Sequence, residues 1–170
     1  MIFNIKPIHA SYASLLLFLT IQMAQAQTVD APPLHLQLPS TWTLDSARRP
    51  MEGKGPDGEK MMLTIARALP NKTTTAREDA HSFAQGILKD VASRNGKLVV
   101  RAVEEFPVPE GKTAYSSASE SSRMFGKYYF IQYLLASENA MFYFTFEGKG
   151  EALPALKRFD ALMNEQRWDE

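Results

Sequence analysis

The sequence contains no cysteine. That absence excludes a disulfide framework, a thiolate zinc site, a catalytic thiol and a lipid-modified N-terminal cysteine. Charge of one sign is also lacking, with 19 basic and 19 acidic residues in balance. No basic stripe stands ready for a phosphate backbone, so nucleic acid is not an expected partner. Histidine is scarce at three residues, without metal-ligand spacing, and neither a metal nor a cofactor is expected. Long apolar runs are missing too. The longest, Ala13 to Ile21, is too short for about 30 Å of hydrocarbon.

What that short run does fit is a secretory leader. Lys6 supplies the positive start, Ala13–Ile21 the apolar centre, and Ala24-Gln25-Ala26 the small residues that signal peptidase accepts. Residues 1–26 therefore read as a signal peptide, cleaved before Gln27. The expected address is the periplasm or the medium, with no membrane anchor once the leader is gone. Residues 27–33, polar with two prolines, read as a flexible lead-in. Residues 34–168 are long enough for a single domain with its own hydrophobic core.

Within that domain "LHLQL" (34–38) alternates as a half-buried strand, and a second strand starts at Trp42. Residues 47–60, rich in Gly, Pro and charge, read as an exposed loop before a strand over 61–69. Thr75 and Glu78 form a T-x-x-E capping box. Ala80, Phe83, Ala84, Ile87, Leu88 and Val91 then recur at helical spacing until Asn95-Gly96. Strands follow over 97–106, 112–121, 127–136 and 140–147, and a second amphipathic helix starts near Pro154. The order is β-β-β-α-β-β-β-β-α.

Residues 128–148 hold eight of the eighteen aromatic residues. Phe142, Phe144 and Phe146 share one face of their strand, and Tyr129, Ile131, Tyr133 and Leu135 one face of theirs. The opposite faces are also largely apolar, so both sides of this sheet should be covered. The expected architecture is α+β: a central antiparallel sheet of six or seven strands with helices on both faces, an α/β/α sandwich.

Leu38-Pro39-x-x-Trp42 at the domain's opening and Phe159 in its closing helix resemble the pattern of the PsbP-like superfamily. The resemblance spans nearly all of 33–168 and implies the same sandwich. It also implies a protein that binds partners or assists assembly, with no catalytic motif carried over.

Chemistry-bearing motifs are few. His81 lies beside Glu78, Asp79 and Ser82, which allows a hydrolase reading with an acid as partner. The simpler reading of the same turn is the solvated, acidic start of a helix, favoured by its dipole. "AYSSASESS" (114–122) has no G-x-S-x-G frame, and "GKGPDGEK" (53–60) lacks phosphate-loop spacing. The leading expectation is an exported, non-enzymatic protein that binds another macromolecule, most simply a protein. An immunity protein against a toxin is one version, and carriage of an apolar molecule near Tyr129, Phe130 or Phe144 an alternative. Candidate contact residues are Arg49, Lys54, Asp57 and Glu59, with Arg48 nearby, and the tyrosines Tyr128 and Tyr133.

Overall fold

The computed structural model describes residues 27–67, 74–95 and 98–169. The leader read over 1–26, including Ala24 and Ala26, lies outside the described residues. So does Gly96, read as the helix stop. In chain order the elements are β1 (Gln27–Ala31), β2 (Leu34–Leu38), β3 (Thr43–Asp45), β4 (Met51–Lys54) and β5 (Lys60–Arg67). Then come α1 (Ala76–Asn95), β6 (Leu98–Glu105), β7 (Thr113–Arg123), β8 (Gly126–Ala136), β9 (Ala140–Lys149), α2 (Ala152–Asn164) and β10 (Arg167–Trp168).

The expected α/β/α sandwich does not form. The described residues are mostly β, with two helices. They build two antiparallel sheets, one of seven strands in the order β3-β4-β5-β9-β8-β7-β6 and one of three in the order β1-β2-β10. Leu34, Leu36 and Leu38, expected in the central sheet, belong to the small one. With Val29 and Ala31 they pack toward Ile131, Tyr133, Leu135, Phe142, Phe144 and Phe146. A strand's alternation shows which residues turn inward but not which sheet it joins.

On the other face α1 packs over β6 to β9, setting Ala80, Ala84 and Leu88 against Tyr115, Leu134 and Ala136. Its start is fixed by the capping box: the Thr75 amide donates to Glu78 Oε2 at 2.7 Å and the Glu78 amide to Thr75 Oγ1 at 3.1 Å. The β5 side of this face is open. Met61 and Leu63 are buried while Lys60, Met62 and Thr64 meet solvent, the alternation of a sheet wet on one side.

Two further readings are corrected. Residues 27–31, read as part of a flexible lead-in, form β1, because Val29 and Ala31 are apolar at period two and pair with β2. The segment 47–60, read as a loop, contains β4, in which Met51 and Gly53 turn inward and pair with Leu63 and Met61. A Cβ on Gly53 would sit 3.1 Å from the Met61 Cε, so the close approach suits glycine.

Between the seven-stranded sheet and α2 lies an aromatic layer. Phe159 stacks on Phe146 with centroids 4.2 Å apart and meets Trp42 edge-on at 6.1 Å. Beside it a polar network is fully partnered. Arg101 grips Asp160 with two hydrogen bonds, at 2.9 and 2.8 Å, and the Tyr133 hydroxyl donates to Asp160 at 2.7 Å. Burial first, then that bond, pushes the Tyr133 phenol far above its ordinary pKa. At the chain's end His35 is held between Asp30 at 2.9 Å and Asp169 at 2.6 Å, which clasps β10 to the small sheet. The hydrogen bond to Asp30, followed by that to Asp169, raises the His35 pKa above its ordinary 6.5.

Phe159→Ala is expected to cost about 3–5 kcal/mol in urea unfolding, and Tyr133→Phe about 1–2 kcal/mol, because Asp160 keeps its arginine. The His35 clasp has a set sign. Its folded pKa exceeds the unfolded value, so its stabilisation is complete below the unfolded pKa and is lost as pH rises through the folded one. Unfolding midpoints should fall across that window in the parent and fall less in His35→Leu.

Candidate functional site

At one end of the seven-stranded sheet the β4–β5 loop, the β7–β8 turn and the end of β9 come together. Cross-strand partners share a face, and here they set two rows of side chains. Lys60, Glu147 and Phe130 lie abreast in one row, Lys149 and Tyr128 in the next. Together with Asp57, Gly58 and Arg123 they line an open cleft of about 410 Å³. The Arg123 guanidinium lies over the Tyr128 ring at 5.0 Å and the Phe130 ring at 5.8 Å. This cation–π contact braces the hairpin against its own sheet face.

Tyr129 reaches the cleft floor from the opposite face, beside Gly148, where a Cβ would overlap the Tyr129 hydroxyl. Burial pushes the Tyr129 phenol up to about 12, offset in part by Arg158. Arg158 donates to that hydroxyl at 3.3 Å and pairs with Glu59 at 2.9 Å. Glu59 is 3% exposed and also accepts the Asp57 amide at 2.9 Å, which fixes the loop that forms one cleft wall. A carboxylate buried this deeply is tolerable because it is paired and hydrogen-bonded.

The sequence candidates therefore separate. Asp57 and Tyr128 line the cleft. Lys54 is exposed beside it, directly opposite Lys60 in the ladder. Glu59 and Tyr133 are withdrawn as contact residues. Glu59 turns inward to Arg158, and Tyr133, 0% exposed, turns inward to Asp160. Arg49 faces another region, donating to the Ser46 and Arg48 carbonyls, while Arg48 pairs with Asp45 and Glu52.

Other sequence motifs resolve into structure. His81 Nδ1 lies 3.2 Å from the Tyr115 hydroxyl, and their rings meet edge-on. Glu78 is held in the helix cap by Thr75, which keeps its carboxyl below the ordinary range, so it does not orient His81. Ser116 accepts from Arg101 and Ser117 donates to Gln132, so both serve packing. Of the three aromatic residues named for carriage of an apolar molecule, Tyr129 and Phe130 line the open cleft, while Phe144 is fully buried and stacked on Phe146. Among the described residues no group of three His, Asp or Glu could hold a metal ion. None of their helices is long and apolar enough to cross a membrane.

The sequence reading missed Arg123, Met124, Phe125 and Lys149. Met124-Phe125 is the two-residue turn between β7 and β8, closed by Gly126 at φ +115°, a conformation natural to glycine. The signal was available: two large apolar residues in a hairpin turn have no core to enter.

No protein-family model matches the chain, and no curated protein matches it. Among solved structures it is similar to a protein of Bacteroides thetaiotaomicron known from a 1.50 Å crystal structure. The two share 12% identity at a TM-score of 0.58, over 86% of this chain and 49% of the other. The chain thus spans about half the length of that protein, and the likeness is one of fold.

Proposed function

We propose that the chain is an exported protein that works by binding another macromolecule, and that the loop end of the seven-stranded sheet is its contact surface. One observation carries this reading. The cleft with its aromatic floor adjoins an exposed apolar hairpin turn, Met124-Phe125, whose side chains are 91% and 79% exposed. Large apolar side chains presented this fully to water beside a preformed cleft mark interaction sites more often than scattered surface residues do. Arg123, Tyr128 and Phe130 hold the hairpin in one conformation, which lowers the ordering cost of contact. The resemblance to partner-binding proteins of the PsbP-like superfamily points the same way, though the sandwich it implied is absent.

A photo-reactive phenylalanine analogue placed at position 125 tests the surface in cells. Irradiation is expected to give a discrete adduct from position 125 and none from position 110, in the exposed β6–β7 connection. Adducts in equal yield from both positions, or from neither, would overturn the assignment. His81→Ala should leave the position-125 adduct and any cellular phenotype unchanged; loss of phenotype with the adduct intact would restore the hydrolase reading.

A further inference from the structure

Two features of the loop end say what kind of partner it suits. First, β7 and β8 run past their neighbours. Among the described residues the pairing of β6 ends at Glu120 and that of β9 at Tyr128, and the Gly150 amide still donates to the Lys127 carbonyl at 2.9 Å, so the Arg123–Gly126 pair and its turn stand beyond the sheet. This overhang projects by one residue pair, about 3.4 Å, with Met124 and Phe125 at its apex.

Second, cations gather at its base. Lys54 and Lys60 are direct cross-strand partners on the exposed face, and like charges so placed repel. Among the described residues Lys149, beside Tyr128, has no carboxylate partner, and Arg123 is engaged only with aromatic rings. The carboxylates in reach are Asp57 and Glu147, the latter 3.7 Å from Lys60. Glu120 and Glu151 are already taken up by Lys127, and Glu120 also accepts the Ala152 amide. On the cleft face four cations thus meet two carboxylates, while on the other face Lys127 alone meets two, so five cations against four carboxylates leave a net charge of +1 around the apolar wedge.

We propose that this end of the molecule docks reversibly on an anionic lipid bilayer. Met124 and Phe125 enter the acyl boundary while Arg123, Lys149, Lys60 and Lys54 face the phosphates. The inference rests on the reading above that this end is the contact surface, and names a bilayer as what it meets. A stable protein interface takes about 800 Å² from each side, for which a two-residue apex is too narrow. A bilayer accepts a narrow apolar wedge under a cationic collar, with each cation adding attraction to anionic headgroups. Tyr128 lies level with Lys149 within the collar, a place that suits an aromatic side chain with a polar tip.

The test is flotation of the exported protein with vesicles. One set mixes phosphatidylglycerol with phosphatidylcholine; the other is phosphatidylcholine alone. Parent and variants share one N-terminus, verified by mass spectrometry, so residues 1–26 drop out of the comparison. The parent is expected to float with the anionic vesicles and not the neutral ones, and to be released as salt rises from about 0.05 to about 0.5 M. Met124→Ser with Phe125→Ser should lower the partition about tenfold, and so should Lys54→Glu with Lys60→Glu. All four positions are exposed, and unchanged unfolding midpoints would show that the variants still fold. As an independent readout, the emission of Phe125→Trp should shift to the blue on anionic vesicles only. Equal partition of parent and serine variant would overturn the proposal. So would absence of flotation while the position-125 adduct contains a protein, an outcome that keeps the binding reading. Absence of both flotation and adduct would remove both.

Discussion

The packing of Phe159 is the contact on which the rest of the buried layer depends. Its ring stacks on Phe146 at the centre of the seven-stranded sheet and meets Trp42 from the strand-entry turn. Through it α2 is set against the sheet. The neighbouring residues of α2 then do separate jobs: Arg158 neutralises Glu59 and reaches Tyr129, while Asp160 collects Arg101 and Tyr133. A small rotation of α2 would break both polar networks at once, because close-packed interiors leave no room for independent adjustment. The aromatic layer thereby fixes the β4–β5 loop, and with it one wall of the cleft.

This coupling gives the loop end its character. The cleft wall containing Asp57 is immobilised by a buried carboxylate, the floor by Gly148 and Tyr129, and the hairpin by a stacked arginine. Near the floor, Glu59 and the Tyr129 hydroxyl both have Arg158 as a structural partner. An arrangement of this kind presents a surface of fixed shape.

Much of the local structure was legible in the sequence, and much of its assembly was not. The α1 capping box is a short-range pattern whose partners lie three residues apart, so the sequence contains all of it. The parity of Tyr133 with Ile131 and Leu135 placed these side chains on one face. It could not say which face would be sealed, so Tyr128 and Tyr133 looked alike as candidates although only Tyr128 reaches the cleft. β2 had clean alternation, yet its membership of a separate sheet depends on β1 and β10, from opposite ends of the domain. Glu59 stood in a stretch composed like a loop, and its burial depends on Arg158, which no local pattern announces. Arg123 and Lys149 carried no motif at all; they matter because strand register brings them to one end.

The three-stranded sheet has a mechanical consequence. β1 and β10 flank β2 on opposite sides and are both antiparallel to it, so they run in the same direction as each other. Gln27 sits at the Leu38 end of β2, and Asp169 follows the Leu34 end. A pull applied between Gln27 and Asp169 therefore draws the outer strands lengthwise past β2 in opposite senses. Their hydrogen bonds are loaded in shear and must fail together, where a peeling geometry would break them one by one. The strands that close the chain thus also resist its extension.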